Sequence, residues 1–372
     1  MNWSYAGIQR DWLADGRIAV PEHDVVAAFD RCERMLGRGW IDRMRGSETR
    51  GAAPTLAVVS MGQALSSLED VSDCEKLIHR IRADDPSARA ELRAIYLLRS
   101  VERTVVELEP VVTLPGGDRK CDFRLQRPSD TWVYVEVTQP DTSDAKARVD
   151  AIIQSVVETV MSIKKPFALE IFLRREPTEP EIASVISASL DVCSSNETLA
   201  RREELPDGLG LMIVNEQTPE FFALNDHGEE RVPRVGSLRA IVGPGEPNRS
   251  VAVRMAYADQ RAERFLTTEA RQLPTNAPGL IMVEMLNVSG GFVSWEPIIR
   301  RRFQPTIHTR VGGVCLFSSG LVPTPDGEAA LFNTKFVANQ HARIPLPAWV
   351  RASLDSAGEQ FKALTNIPSH GG

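Results

Sequence analysis

Apolar positions along the chain change their period several times, and the changes predict the elements. In "PEHDVVAAFDRCERMLG" the residues Val25, Ala28, Phe29, Cys32 and Leu36 recur at helical spacing, and Gly37 stops the pattern. A break over roughly 46–54 precedes "TLAVVSMGQALSSLEDVSDCEKLIHRIR", which also reads as helix, so residues 1–80 form a helical N-terminal region. Asp85 and Pro86 announce the next helix, because the Asp can cap free amides and a proline lacks only an N–H that has no partner there. Strand-like runs follow at 104–113, 119–125, 131–138, 167–174 and 209–215. Among them lies a helix over 143–161, whose Val149, Ile152, Ile153, Val156, Val157, Val160 and Met161 make one apolar stripe. The second half alternates again: "SVAVRMAY" as strand, "DQRAERFLTTEARQL" as helix, "GLIMVEML" as strand, then strands near 311–317 and 329–336. Such alternation predicts an α/β fold, a mixed β-sheet flanked by helices.

Composition narrows the classes. The chain has 372 residues, 42% hydrophobic and 25% charged, enough for a substantial core. Its longest apolar runs are too short to cross a bilayer, and the first residues carry charge where a signal peptide is apolar. Five cysteines without CxxC spacing argue against a disulfide framework and a zinc ribbon, so a reduced, cytoplasmic protein with no membrane partner is expected. A formal net charge of −7 excludes coating nucleic acid by bulk charge but leaves room for a local basic groove. Only seven of the 43 basic residues are lysines, which restricts any chemistry that demands one. No GxGxxG or P-loop pattern occurs.

The segment "RKCDFRLQRPSDTWVYVEVTQPD", 119–141, carries the most chemistry. It reads as a hairpin turning at "RPSD". Alternation places Lys120, Asp122 and Arg124 on one face of the first strand, and Trp132, Tyr134, Glu136 and Thr138 on one face of the second. A turn between Pro128 and Ser129 sets Asp122 nearly opposite Glu136, where cross-strand Cβ atoms lie about 4.5–5.5 Å apart. Two carboxylates so close repel unless a proton or cation sits between them, and hard oxygen ligands suit Mg²⁺ or Mn²⁺. The plainer alternative is a solvent-facing hairpin whose acids pair with Lys120, Arg119 and Arg124. Glu91 falls on or beside the apolar face of its helix, which calls for a metal or for a salt bridge to a nearby arginine.

A helical Glu, a strand Asp, a Glu-x-Thr on the neighbouring strand and then a long amphipathic helix together resemble the PD-(D/E)XK superfamily of restriction-endonuclease-like nucleases. The resemblance covers roughly residues 85–175. It implies a restriction-endonuclease-like core over 81–215 and Mg²⁺-dependent hydrolysis of phosphodiester bonds in DNA or RNA, while the alternation of strands and helices beyond it reads as an α/β extension over 216–372, separate from the core or continuous with it. Asp122 and Glu136 take the metal-ligand positions, with Glu91 as auxiliary ligand. A nucleic-acid partner is implied, and a homodimer where both strands are cut. The chain departs from the pattern in two places. Cys121 replaces the proline before the Asp, and Thr138 stands where the family has its lysine. A Thr hydroxyl can position a metal-bound water but brings no positive charge. Lys120, two residues before Asp122 and on the same face of the same strand, is the candidate for a relocated cation, with Lys146 as second choice. A catalytically weak or inactive scaffold that binds nucleic acid or a protein partner is the alternative, and Thr138 favours it.

Overall fold

The structure, a computed structural model, describes residues 3–14, 16–45, 50–100, 104–114, 116–140, 144–175, 177–195, 201–215, 235–241, 247, 249–255, 261–285, 291–324 and 326–365. Helices come first: α1 (Tyr5–Ile8), a π-helical turn at Gln9–Leu13, α2 (Glu22–Leu36), α3 (Arg38–Arg45), α4 (Ala52–Ser66), α5 (Glu75–Arg82) and α6 (Pro86–Arg99). Five short strands follow: β1 (Val105–Leu108), β2 (Val111–Leu114), β3 (Gly117–Lys120), β4 (Phe123–Gln126) and β5 (Val133–Thr138). Next come α7 (Asp144–Val160), β6 (Phe167–Leu173), α8 (Glu179–Ser194), β7 (Arg201–Glu204), β8 (Gly210–Asn215), β9 (Val235–Ile241) and β10 (Arg249–Met255). The chain finishes with α9 (Arg261–Glu269), β11 (Gly279–Glu284), α10 (Gly291–Arg302), β12 (Val311–Thr324), β13 (Gly327–Ala338) and α11 (Ala348–Thr365). The fold is mixed α/β, with mixed sheets flanked by helices.

Two units share the chain. One comprises Met1–Gln139, Glu263–Leu286 and Ile299–Gly372, and the other Pro140–Ala262 and Asn287–Ile298. The segments 81–215 and 216–372 therefore each contribute to both units. Most of the 216–248 stretch lies outside the described residues.

The first unit is built on a six-stranded sheet of order β1-β4-β5-β11-β12-β13. Its first three strands form an antiparallel meander, β11 lies parallel to both β5 and β12, and β12 and β13 form a long hairpin. Alternate residues of the inner strands face one core: Phe123, Leu125, Val133, Val135, Leu280, Met282, Cys315 and Phe317. That core also contains the apolar stripes of α2, α4 and α6. α6 starts as the sequence predicts, with Asp85 accepting from the Ser87 amide at 2.9 Å and Pro86 in the first turn.

The second unit has a five-stranded sheet of order β7-β8-β6-β10-β9. The predicted stripe of α7 supplies Ile152, Ile153, Val156 and Val160 to its core, with Phe167, Leu169, Ile171 and Leu173 of β6. The α7–β6 segment expected to complete the hairpin's own sheet thus belongs to a separate core. The parallel neighbour of β5 is instead β11, far along the chain.

One strand expectation is corrected. The run 119–125 is interrupted at Cys121–Asp122, and 104–113 is interrupted opposite it, at Glu109–Pro110. Glu109 adopts a positive φ of 48°, and Pro110 has no N–H to give the ladder. β2 and β3 consequently form a ribbon of their own, and Lys120 does not share a strand with Asp122.

α2 and α4 approach closely at Gly62. A methyl group there would lie 2.4 Å from the Ala28 carbonyl oxygen and 2.6 Å from its Cα. Gly62→Ala is expected to destabilise the protein by about 1–3 kcal/mol through overpacking. A lowered urea midpoint of the far-UV dichroism would register this, and an unchanged midpoint would contradict the close helix contact.

Candidate active site: a buried carboxyl pair

The hairpin register matches the alternation in the sequence. Phe123 pairs with Val135, Arg124 with Tyr134 and Leu125 with Val133, so one step further Asp122 stands opposite Glu136. Asp122 lies just before β4 and turns one carboxylate oxygen to the neighbouring backbone, where Oδ2 accepts the Val137 N–H at 2.7 Å. Glu136 is only 2% exposed, because β5 is an inner strand with β4 on one side and β11 on the other. Ile281 of β11 is its partner across the parallel ladder.

These two acids perturb each other. Burial, and then the charge of Asp122, pushes the Glu136 carboxyl up to about 9. Burial also raises Asp122, opposed by the Val137 amide and by Arg80. The Val137 amide and the charge of Arg80 favour ionised Asp122, whereas the charge of Asp122 opposes ionisation of Glu136, so Glu136 is the acid of the pair that keeps its proton. The Cys121 thiol is pushed upward by burial and by Glu136, which makes it a poor nucleophile. Oε1 of Glu136 is buried without a hydrogen-bond partner. An orphaned buried carboxyl oxygen is costly, and a hard cation is one occupant that would satisfy it.

Glu91 of α6 lines the same cleft as Asp122, a cavity of about 370 Å³ that Lys76, Arg80 and Lys120 also line. Burial, and secondarily the charge of Asp122, pushes Glu91 up to about 7, while Arg80 opposes the shift. The Arg80 guanidinium donates to both Glu91 oxygens, at 2.9 and 3.2 Å, and its Nε meets Asp85 at 2.7 Å. Of the two readings open for Glu91 in the sequence, this is the salt bridge. Lys120 is exposed and paired with Glu109 at 2.6 Å, and Lys76 stands 3.8 Å from the same carboxylate. Thr138, at the end of β5, is half-buried and pairs with Val283 in the ladder. Arg124 is committed to Glu107 at 2.9 Å and to the Tyr134 hydroxyl at 2.8 Å, with its guanidinium over the Trp132 ring. The side chain of Lys146 lies outside what is described.

A fourth acid was not foreseen. Glu269, the last residue of α9, is raised by burial, against a hydrogen bond from Gln272, and it feels the charge of Asp122. Its own charge adds to the upward push on Glu136. One local signal pointed to it: an acid in the last turn of a helix faces the negative end of the macrodipole. Among the described residues no group of three or more His, Cys, Asp or Glu side chains is arranged to hold a metal ion. Asp122 and Glu136 are the two acids here that could offer oxygens to a divalent cation. Glu91, occupied by Arg80, and Glu269 shape the field around them.

Linkage gives the pair a pH signature in metal-free protein. Glu136 holds its proton more tightly folded, at about 9, than its ordinary 4.5. Its contribution to stability is fully present below 4.5 and is lost as pH rises through about 9. In chelator-treated protein, Glu136→Gln is expected to flatten the decline of Tm across that window and to melt above the wild type at its alkaline end. Parallel profiles for variant and wild type would contradict the buried, protonated Glu136. In comparison with known proteins, the chain matches no family model, no curated protein and no solved structure.

Proposed function

We propose that this chain is a divalent-metal-dependent phosphodiester hydrolase acting on nucleic acid. The observation that carries the reading is the buried pair Asp122 and Glu136, opposed across neighbouring backbone, with Oε1 of Glu136 having no hydrogen-bond partner among the described residues. Part of the element order supports it. A helix bearing Glu91 precedes two antiparallel neighbouring strands, with Asp122 just before the first and Glu136 on the second, as the resemblance to restriction-endonuclease-like nucleases implies. The long helix that follows, α7, packs instead into the core of the second unit.

Asp122 and Glu136 would hold Mg²⁺ or Mn²⁺, with the proton of Glu136 displaced on binding. The bound cation would polarise the phosphodiester and lower the pKa of an attacking water. The Asp122–Val137 hydrogen bond fixes one carboxylate so that it needs no reorganisation. Arg80, between Glu91 and Asp85, supplies permanent positive charge to the cleft. The Thr138 hydroxyl can orient a water but cannot neutralise developing charge, and Lys120 can do so only by leaving Glu109. A missing preorganised group of this kind costs about 10²–10³ in rate, so slow turnover follows from the residue set. Cutting both strands of a duplex would require a second copy of the chain.

The second reading, a catalytically weak or inactive scaffold for nucleic acid or a protein partner, is favoured by a specific observation. The guanidinium of Arg80 and the carboxylate of Glu109 already neutralise Glu91 and Lys120. Calorimetric titration of chelated protein with Mn²⁺, paired with a cleavage assay on single- and double-stranded DNA and RNA, separates the two. Saturable binding and cleavage, both lost in Asp122→Asn and Glu136→Gln, are expected. Thr138→Lys should accelerate cleavage by up to about 10²–10³. Absence of both binding heat and cleavage in the wild type overturns the enzyme and leaves the scaffold. Cleavage unchanged in Lys120→Ala would remove Lys120 from the chemistry.

A further inference from the structure

A second cavity in the first unit lies away from the carboxyl pair. It has a volume of about 340 Å³ and is walled by α3, α4, α6 and the β12–β13 hairpin. A larger cavity of about 730 Å³ adjoins it, sharing Leu56, Ser60 and Ala330. The volume of the first is that of a small-molecule site, and its mainly apolar wall with few polar groups is the composition such sites have.

Its wall follows from two helical faces. On α4, Ala53, Ala57, Ser60 and Ala64 recur at three and four residues and line the space with small side chains, beside the larger apolar Leu56 and Met61. α4 has no Asp, Glu, Lys or Arg at all, although Ala53 and Ala57 are exposed. A helix with an exposed strip and no charge on it is suited to an apolar occupant rather than to bulk water. On α6, Arg89 and Arg93 are one turn apart and both line the cavity. Glu91 sits two residues from each, about 200° round the helix, and lines the other cleft. One helix therefore serves two separate sites.

The charges do not cancel. Arg93 donates to the fully buried Glu284 at 2.6 Å. Arg89 donates to the Asp84 carbonyl oxygen, at 3.1 Å, and makes no ion pair among the described residues, although its charge also reaches Glu284, which Arg93 already holds. The cavity thus holds two guanidinium groups against one carboxylate. Trp40, 2% exposed, lines the same space, and its Nε1–H is buried without an acceptor.

We infer that this cavity binds a small apolar molecule with a single anionic group, a carboxylate, which pairs with Arg89 while its hydrocarbon lies along the small side chains of α4. A guanidinium and a carboxylate meet in two parallel hydrogen bonds, and the half-buried position of Arg89 makes that pairing stronger than it would be in open water. The unequal charge selects a monoanion over a neutral or cationic analogue.

Octanoate is the probe, titrated calorimetrically into the full-length protein, with octylammonium as the charge-reversed control. Saturable binding of octanoate and none of octylammonium is expected. Arg89→Gln should weaken it about tenfold or more, the loss of one charge-assisted contact, and Arg89→Lys should retain most of it. Ala57→Phe, which fills the wall from an exposed position, should abolish binding. Far-UV dichroism and the urea midpoint, unchanged in Arg89→Gln, exclude unfolding as the cause. Asp122→Asn, in the other cleft, should bind octanoate as the wild type does. Absence of saturable octanoate binding, equal binding of octylammonium, or undiminished binding in Arg89→Gln would each overturn the inference.

Discussion

A carboxyl group buried inside a sheet has two stable states, protonated or paired with a cation, because an unpaired charge in that environment is too costly to persist. Glu136 is such a group, and much of the candidate site follows from its burial. It is buried because β11 closes over the open side of β5, and it is strained electrostatically because Asp122 stands across from it. Asp122 cannot withdraw, since its other oxygen is tied to the β5 backbone. Glu269 adds to the negative field at Glu136, while Glu91 is held by Arg80. The arrangement concentrates acid in a place where stability alone would put a hydrophobic side chain, and such concentrations recur at functional sites.

Arginine manages the charge elsewhere in the first unit. Arg80 spans Glu91 and Asp85, Arg93 meets the buried Glu284, Arg124 joins Glu107, and Arg99 chelates Asp70. A planar guanidinium holds two acceptors in fixed geometry and never loses its proton, so these contacts fix side chains rather than act as proton carriers. With seven lysines in the whole chain, a movable or titratable cation is scarce, and the two that line the cleft, Lys76 and Lys120, both face Glu109. α6 concentrates the consequence. On one side it offers Glu91 to the acidic cleft, and on the other Arg89 and Arg93 to an apolar cavity.

Several parts of this were legible in the sequence because they depend on neighbours along the chain. Strict alternation on both arms and the "RPSD" turn set the hairpin register, which placed Asp122 against Glu136. The Asp85–Pro86 signal set the start of α6, and the three-and-four spacing of apolar residues set α7. Other parts were illegible because their causes are distant or conformational. Nothing in 104–125 except Pro110 announced that Glu109 would turn to positive φ and split both strands. The resemblance takes the helix and strand after the hairpin into the same core, yet their apolar faces close a core of their own. Glu269 entered the site because α9 leads directly into β11.

The sequence by itself determined the α/β class, the pairing of the hairpin and the presence of two opposed acids, since local periodicity and turn chemistry act over a few residues. Only the tertiary structure decided that Glu136 is sealed from water, that Glu91 belongs to Arg80, and that Lys120 belongs to Glu109. It also decided that Arg89 and Arg93 border a mainly apolar cavity. Those outcomes depend on which strand lies beside β5 and which helices pack on the sheet. Burial, unlike register, is a property of contacts between residues far apart in the chain.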